Sequence, residues 1–397
     1  MIPESSHCGT LNVSSGLAYD QTHASICELS YARSNTKDYR VLTAKEWTQL
    51  QKIVLIIPLN YFSQGGIAMC TAAVYATKNH YFGRNLDLEF SYHETVTITP
   101  RNKVLPMRHM DDMVSHYAMI GMAFVVSGYP LYYDATNEKG LSMAGLNFPG
   151  NACYRPVTEG KDNVASFEFI SWILGKCATV KEARKLLERI SLTNDAFAKE
   201  LPPSPLHWMI ADPTETIVFE QTAEGGKIYD NPVGVMTNNP TFDYQLTHLQ
   251  DYMNASASLP ENRLIPGMNM NPYSRGMGGM GIPGDLSSAS RFVKVAFTKM
   301  NSLSGSSEEE SIGQFFKILG SVEQQKGCCR LGKDEKGNDL CEYTIYSSCC
   351  NMEKGIYYYT TYENSQITGV DMHHENLDGT ELVTYELEKQ EQIRMMN

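Results

Sequence analysis

From Cys70 onward the chain alternates short apolar runs with turn residues, and the period of each run predicts an element. Thr71–Tyr75 reads as a strand, Lys78-Asn79 supplies a turn, and Tyr81–Leu86 returns as the second arm of a hairpin. Thr95–Thr99 alternates polar and apolar residues until Pro100 stops it, whereas Ala118–Val126 is apolar almost throughout, as a buried strand is. Ser166–Leu174 carries apolar positions at helical spacing, and Thr179-Val180-Lys181-Glu182 has the form of a capping box opening a helix over Lys181–Arg189. Trp208–Ile210 and Thr216–Gln221 read as strands joined through Asp212-Pro213, with Lys227–Tyr229 completing a meander. Ser288–Met300 and Glu309–Leu319 are helical again, the second started by Ser306-Ser307, and Ile356–Tyr362 and Glu381–Tyr385 supply late strands.

Runs of strands interleaved with pairs of helices, without a regular strand-helix repeat, point to α+β layers and against a doubly wound parallel sheet. No internal repeat or long linker follows Cys70, so residues 69–397 read as one domain. The glycine-rich stretch Gly276–Gly281 lacks the preceding strand and following helix of a dinucleotide loop, and reads as a loop near a pocket.

Composition narrows the classes. A chain of 397 residues with 42% hydrophobic content can bury a large core. Its formal charge of -12 argues against a nucleic-acid partner, which requires clustered Lys and Arg. The run Ile53–Ile57 is too short to cross a membrane. Ten cysteines are sparse for a disulfide framework at this length, and the adjacent pairs Cys328-Cys329 and Cys349-Cys350 suit neither simple bridging nor a structural zinc site. A reducing cytoplasm is the expected compartment.

The candidate chemistry centres on Cys70, which follows Met69 and precedes the small residues Thr71-Ala72-Ala73. If Cys70 is a free N-terminus, its thiol (pKa about 8.5) and α-amine (about 7.7 to 8.0) sit on neighbouring carbons, so the amine can take the thiol proton near neutrality. Arg84, returning on the hairpin, supplies fixed positive charge that favours thiolate, and Asp87 is placed to pin the ammonium. Such a nucleophile cannot work with residues 1–68 attached. They fit neither a secretory nor a lipoprotein signal, since mostly polar residues come first and Met69 is a poor residue before a cleavage site. Gln64-Gly65-Gly66 can be encoded to contain a bacterial ribosome-binding sequence. Translation from Met69, with removal of that methionine, is therefore the expectation; autoproteolysis of a propeptide is its rival.

The blocks Tyr81–Asp87, Asn137–Leu141, Ala144–Pro149, Met236–Pro240 and Ala289–Phe292 resemble, in order and approximate spacing, the choloylglycine hydrolase family, most closely its bile salt hydrolases. The resemblance runs from about Met69 to the C-terminus. It implies an N-terminal-nucleophile αββα sandwich, no metal or cofactor, and cleavage of the amide of glycine- or taurine-conjugated bile acids, with penicillin V acylase as the other enzymatic reading. A catalytically silent steroid-binding protein is the reading from another class. By the same resemblance Asn147 is the oxyanion donor, Asn238 orients nucleophile and substrate, Arg291 joins Arg84 beside the thiol, and homotetramers are typical. His207, the conventional base to compare, reads as a core or supporting residue. Leu86, Tyr92, Tyr133 and Met209 are candidates for an apolar steroid pocket, and Arg275 for the sulfonate or carboxylate of the conjugate.

Overall fold

The structure, a computed structural model, describes residues 69–397 apart from Glu335, and these fall within one compact unit. The expectations for residues 1–68 lie outside the described residues. Two antiparallel sheets carry the fold. In the first, β12 (Val235–Met236), β1 (Cys70–Ala76), β2 (His80–Leu88), β14 (Asp339–Asn351), β15 (Ile356–Thr361) and β16 (Asn364–Asp371) follow in that spatial order, and β13 (Cys329–Lys333) pairs with β14. The second runs β11 (Gly225–Asp230), β10 (Thr216–Thr222), β9 (Leu206–Ala211), β6 (Ser142–Asn147), β5 (Tyr129–Asn137), β4 (Met119–Val126), β3 (Thr95–Thr99) and β17 (Val383–Glu386). A separate parallel pair joins β7 (Asp162–Ala165) to β8 (Ile190–Thr193).

Helices cover both outer faces. α1 (Phe169–Lys176) and α2 (Val180–Leu187) lie on the second sheet, α4 (Ser288–Asn301) and α5 (Glu308–Gly320) on the first, and α3 (Phe242–Leu249) packs beside α4. The result is the αββα sandwich that the family resemblance implies. This layering explains the apolar runs. Trp208 and Ile210 of β9 face the α1–α2 core, while Met209 and Ala211 face the core between the sheets, so both faces are dry and the period of two disappears. The hairpin of β1 and β2 is as predicted, with Cys70 opposite Leu86 and Ala72 opposite Arg84.

Helix starts differ in detail. Thr179 Oγ1 accepts the Glu182 N–H (3.2 Å), but Glu182 turns back to the Ala178 N–H (2.7 Å) and the box does not close. The reciprocal box forms at Ser307 and Glu310 instead. Among the described residues no helix is long and apolar enough to cross a membrane.

Candidate active site

Strand periodicity sorts the hairpin side chains. Directly paired residues share a face, so Cys70, Ala72, Arg84 and Leu86 point together between the sheets, while Thr71, Asn85 and Asp87 point to the helix side. Arg84 Nη2 accordingly donates to Cys70 Sγ at 2.6 Å. Its other nitrogens donate to the carbonyls of Tyr133 (3.0 Å), Gly145 (2.6 Å) and Asn85 (3.4 Å), so the second sheet aims the guanidinium at the sulfur. Burial of the cation is offset by negative partners, among them Asp134, and Arg84 stays charged. Asp134 is itself held by the hydroxyls of Tyr346 (2.7 Å), Tyr357 (2.8 Å) and Ser348 (3.1 Å).

The nitrogen of Cys70 is held separately. Its N–H donates to Asn238 Oδ1 at 2.7 Å, and Arg291 Nη2 donates to the same oxygen at 2.8 Å. Two donors on one atom identify it as the oxygen, which leaves Asn238 Nδ2 to donate to the Asn147 carbonyl (2.8 Å). Arg291 also donates to the Cys70 carbonyl (2.5 Å), Thr71 Oγ1 (2.6 Å) and the Leu286 carbonyl (2.9 Å) from the start of α4. Chain segments far apart in sequence are thereby tied to one residue.

Burial pushes the Cys70 thiol up, and Asp87 adds to this; Arg84, then Arg291, and a hydrogen bond from the Asn147 backbone pull it down. Asp87 is buried and raised to about 6, chiefly by desolvation, with Arg291 opposing. Its carboxylate accepts from Thr344 Oγ1 (2.6 Å) and Gln324 Nε2 (3.2 Å), while its N–H donates to the Met69 carbonyl (3.1 Å). The Cys70 nitrogen thus bonds Asn238 rather than Asp87, which approaches from the helix side. An uncleaved Cys70 amide has one N–H and Asn238 takes it.

Cys70 and Arg84 lie at the floor of a cavity of about 320 Å³ whose walls are mostly apolar and include Leu86, Phe90, Tyr92, Phe124, Leu131 and Tyr133. Asn147 borders it. Leu86, Tyr92 and Tyr133 therefore line the cavity that reaches the sulfur. Met209 does not: it is buried between the sheets. Arg275 is exposed in the loop before α4 and is not among the residues lining this cavity. Among the described residues no group of three or more His, Cys, Asp or Glu is placed to hold a metal. The eight cysteines described are all free.

The family model for linear amide C–N hydrolases of the choloylglycine hydrolase family matches residues 70–385. The chain belongs to that family. A bile salt hydrolase/transferase of Lactiplantibacillus plantarum is 54% identical over 329 residues, covering 83% of this chain and 100% of the relative. The corresponding protein of Clostridium perfringens is 38% identical over 83% of this chain and all of its own. The crystal structure of a conjugated bile acid hydrolase variant from Clostridium perfringens superimposes with a TM-score of 0.75 at 36% identity, covering 83% of this chain and 100% of that one. Penicillin V acylase from Agrobacterium tumefaciens shares the fold with a TM-score of 0.61 at 18% identity, over 81% of this chain and 92% of its own.

Within this choloylglycine hydrolase several site residues escaped the sequence reading. Asp134, Thr344, Gln324 and Ser288 all support the pair of arginines, Asn238 or Asp87, and none carries a motif of its own. A polar residue inside an otherwise buried strand was the available signal, and burial is invisible before the sheets are assembled.

His207 proves to be supporting structure. Nε2 faces the Thr237 carbonyl (2.8 Å), Nδ1 faces Glu220 Oε1 (3.0 Å), and the ring stacks on Phe148 with centroids 4.2 Å apart. Both nitrogens are occupied away from Cys70. His207→Ala is therefore expected to lower stability by about 2 to 4 kcal/mol, from a lost buried hydrogen bond and a cavity, while leaving appreciable turnover in the folded protein. Urea denaturation beside steady-state assays checks both halves.

Proposed function

We propose that this chain is a bile salt hydrolase whose mature form begins at Cys70 and which cleaves the amide of glycine- or taurine-conjugated bile acids. The observation that carries the mechanism is the separate holding of two atoms of one residue: Cys70 nitrogen on Asn238 at 2.7 Å and Cys70 sulfur on Arg84 at 2.6 Å. That the family match starts at residue 70, and that relatives named for bile salts are covered end to end, supports the reading.

The neutral terminal amine takes the thiol proton, and the thiolate attacks the amide carbonyl carbon. Negative charge on the carbonyl oxygen is met by Asn147, with Arg84 and Arg291 favouring anionic sulfur throughout. Collapse breaks the C–N bond, and the ammonium formed in the first step gives its proton to the departing nitrogen of glycine or taurine. Water, deprotonated by the same amine, then attacks the thioester; the bile acid leaves and the thiol is restored. The steroid is taken up by the cavity walls around Leu86, Tyr92 and Tyr133.

The enzyme is further read as cytoplasmic and homo-oligomeric, a tetramer by family resemblance. The spacing of the cysteines in the sequence, sparse and partly in adjacent pairs, supports the first. Exposed apolar side chains between α3 and α4, Leu264 (84% exposed) and Tyr273 (83%) among them, support the second.

Comparing release rates from glycocholate, taurocholate and penicillin V tests the substrate class. Bile salts are expected to turn over at least tenfold faster in kcat/KM, about 1.4 kcal/mol of discrimination. Faster cleavage of penicillin V than of both conjugates overturns the reading. Intact mass of the active enzyme tests the N-terminus: full turnover with residues retained ahead of Cys70 is incompatible with an amine base.

A further inference from the structure

On the helix side of the first sheet, directly behind Cys70, lies a buried polar chain that the mechanism above does not use. Gln324 Nε2 bridges Asp87 Oδ2 (3.2 Å) and Glu342 Oε1 (3.4 Å), and Thr344 Oγ1 closes on Asp87 Oδ1 (2.6 Å). Gln324 and Glu342 are fully buried, yet Gln324 Oε1 and Glu342 Oε2 have no hydrogen-bond partner among the described residues. A buried carboxylate oxygen without a donor is costly, so a partner is expected there.

What reaches this chain is the backbone of Met69. Its N–H donates to Glu342 Oε1 at 2.9 Å, and its carbonyl accepts from the Asp87 N–H at 3.1 Å. Removing Met69, on which this inference rests together with the proposed function, vacates that place. The Asp87 N–H loses its acceptor, Glu342 and Gln324 present three oxygens, and Cys70 gains an ammonium of which Asn238 engages only one N–H.

We infer that Glu342 is a positioning residue for the terminal amine: with Gln324 and Asp87 it holds the Cys70 ammonium, through water in the place of the Met69 amide, and sets the pH at which that amine turns into a base. A donor, several acceptors and a cation around a space of peptide size suit an ordered water making three or four hydrogen bonds. Desolvation pushes Glu342 up to about 8, with Asp87 and Glu89 acting the same way and the Met69 amide and Arg291 opposing. Carboxylate and amine face the same place left by the Met69 amide, so the protonation of one shifts that of the other. The charged and titratable groups facing the pair are Asp87 and Arg84 from β2, Glu89 just after it, Arg291 from α4 and Cys329 from β13. The new ammonium adds a positive charge that favours the Glu342 carboxylate, and the carboxylate in turn favours the ammonium.

Removing the carboxylate charge destabilises the ammonium, so the amine loses its proton at lower pH, and the neighbouring thiolate also forms at lower pH. Glu342→Gln keeps the shape. In enzyme whose terminus is verified by intact mass, two curves are measured: alkylation of Cys70 by iodoacetamide against pH, and the acid limb of glycocholate kcat/KM. Both midpoints are expected to fall by about one pH unit. Gln324→Glu adds a charge at the same place and is expected to raise both, a reversal that loss of structure does not produce; this variant also decides the matter if Glu342→Gln fails to fold. Curves that superimpose on wild type, or a lower plateau with unmoved midpoints, overturn the inference. Shifted alkylation in an enzyme that leaves glycocholate intact retains it and rejects the substrate assignment instead.

Discussion

Cys70→Ala is expected to reduce glycocholate hydrolysis by on the order of 10⁴-fold or more while the protein stays folded, because loss of a nucleophile removes the covalent route altogether. The substitution deletes one sulfur from a buried site. Arg84 keeps its contacts to the Tyr133 and Gly145 carbonyls, so the scaffold around the vacancy is preserved. A large-to-small change of one atom costs only about 1 kcal/mol, too little to unfold the domain. Turnover within tenfold of wild type, with the folded state confirmed by circular dichroism, removes Cys70 as the attacking group. Running His207→Ala in parallel sharpens the result. If the histidine variant is the dead one, the enzyme uses a conventional Cys-His pair and the amine is a bystander.

Arg291→Met is expected to lose about 3 to 5 kcal/mol of stability and at least about a hundredfold in kcat/KM. Methionine fills most of the volume but donates nothing. The acceptors it abandons are the Cys70 carbonyl, Thr71 Oγ1 and Asn238 Oδ1, all buried, and the half-buried Leu286 carbonyl. The catalytic loss has a second origin. With Arg291 gone, Asn238 Oδ1 keeps only the Cys70 N–H as a donor while its Nδ2 stays on the Asn147 carbonyl, and the positive charge that opposes the thiol's desolvation is halved in number. Urea unfolding separates the two effects from kinetics measured on the folded fraction. Unchanged kcat/KM in a destabilised protein makes Arg291 a strut outside the chemistry.

Much of the scaffold was legible because local period and turn residues decided it. The β1–β2 hairpin, β3, β4 and the helices α1, α2, α4 and α5 follow from patterns within ten or so residues. β14 was missed for a physical reason. Its Thr344, Tyr346, Ser347 and Ser348 look like a polar loop, yet each is buried and bonds Asp87 or Asn85 on neighbouring β2 or Asp134 on β5 of the facing sheet. β5 was missed similarly, since it carries Pro130 and the buried Asp134. Arg275 was chosen from charge chemistry alone, and the chain exposes it in the loop before α4.

What the residues alone determined is the chemical inventory: a cysteine after a methionine, an arginine that the period of two places on the same strand face, and motif blocks whose order marks the family. Tertiary structure decided the geometry of the nitrogen. Asn238 and Arg291 reach Cys70 across 168 and 221 positions of chain, and Glu342 reaches Met69 across 273. No local pattern encodes such approaches, because they arise when two sheets and a helix layer close on one strand end and burial removes the water that would otherwise satisfy these groups.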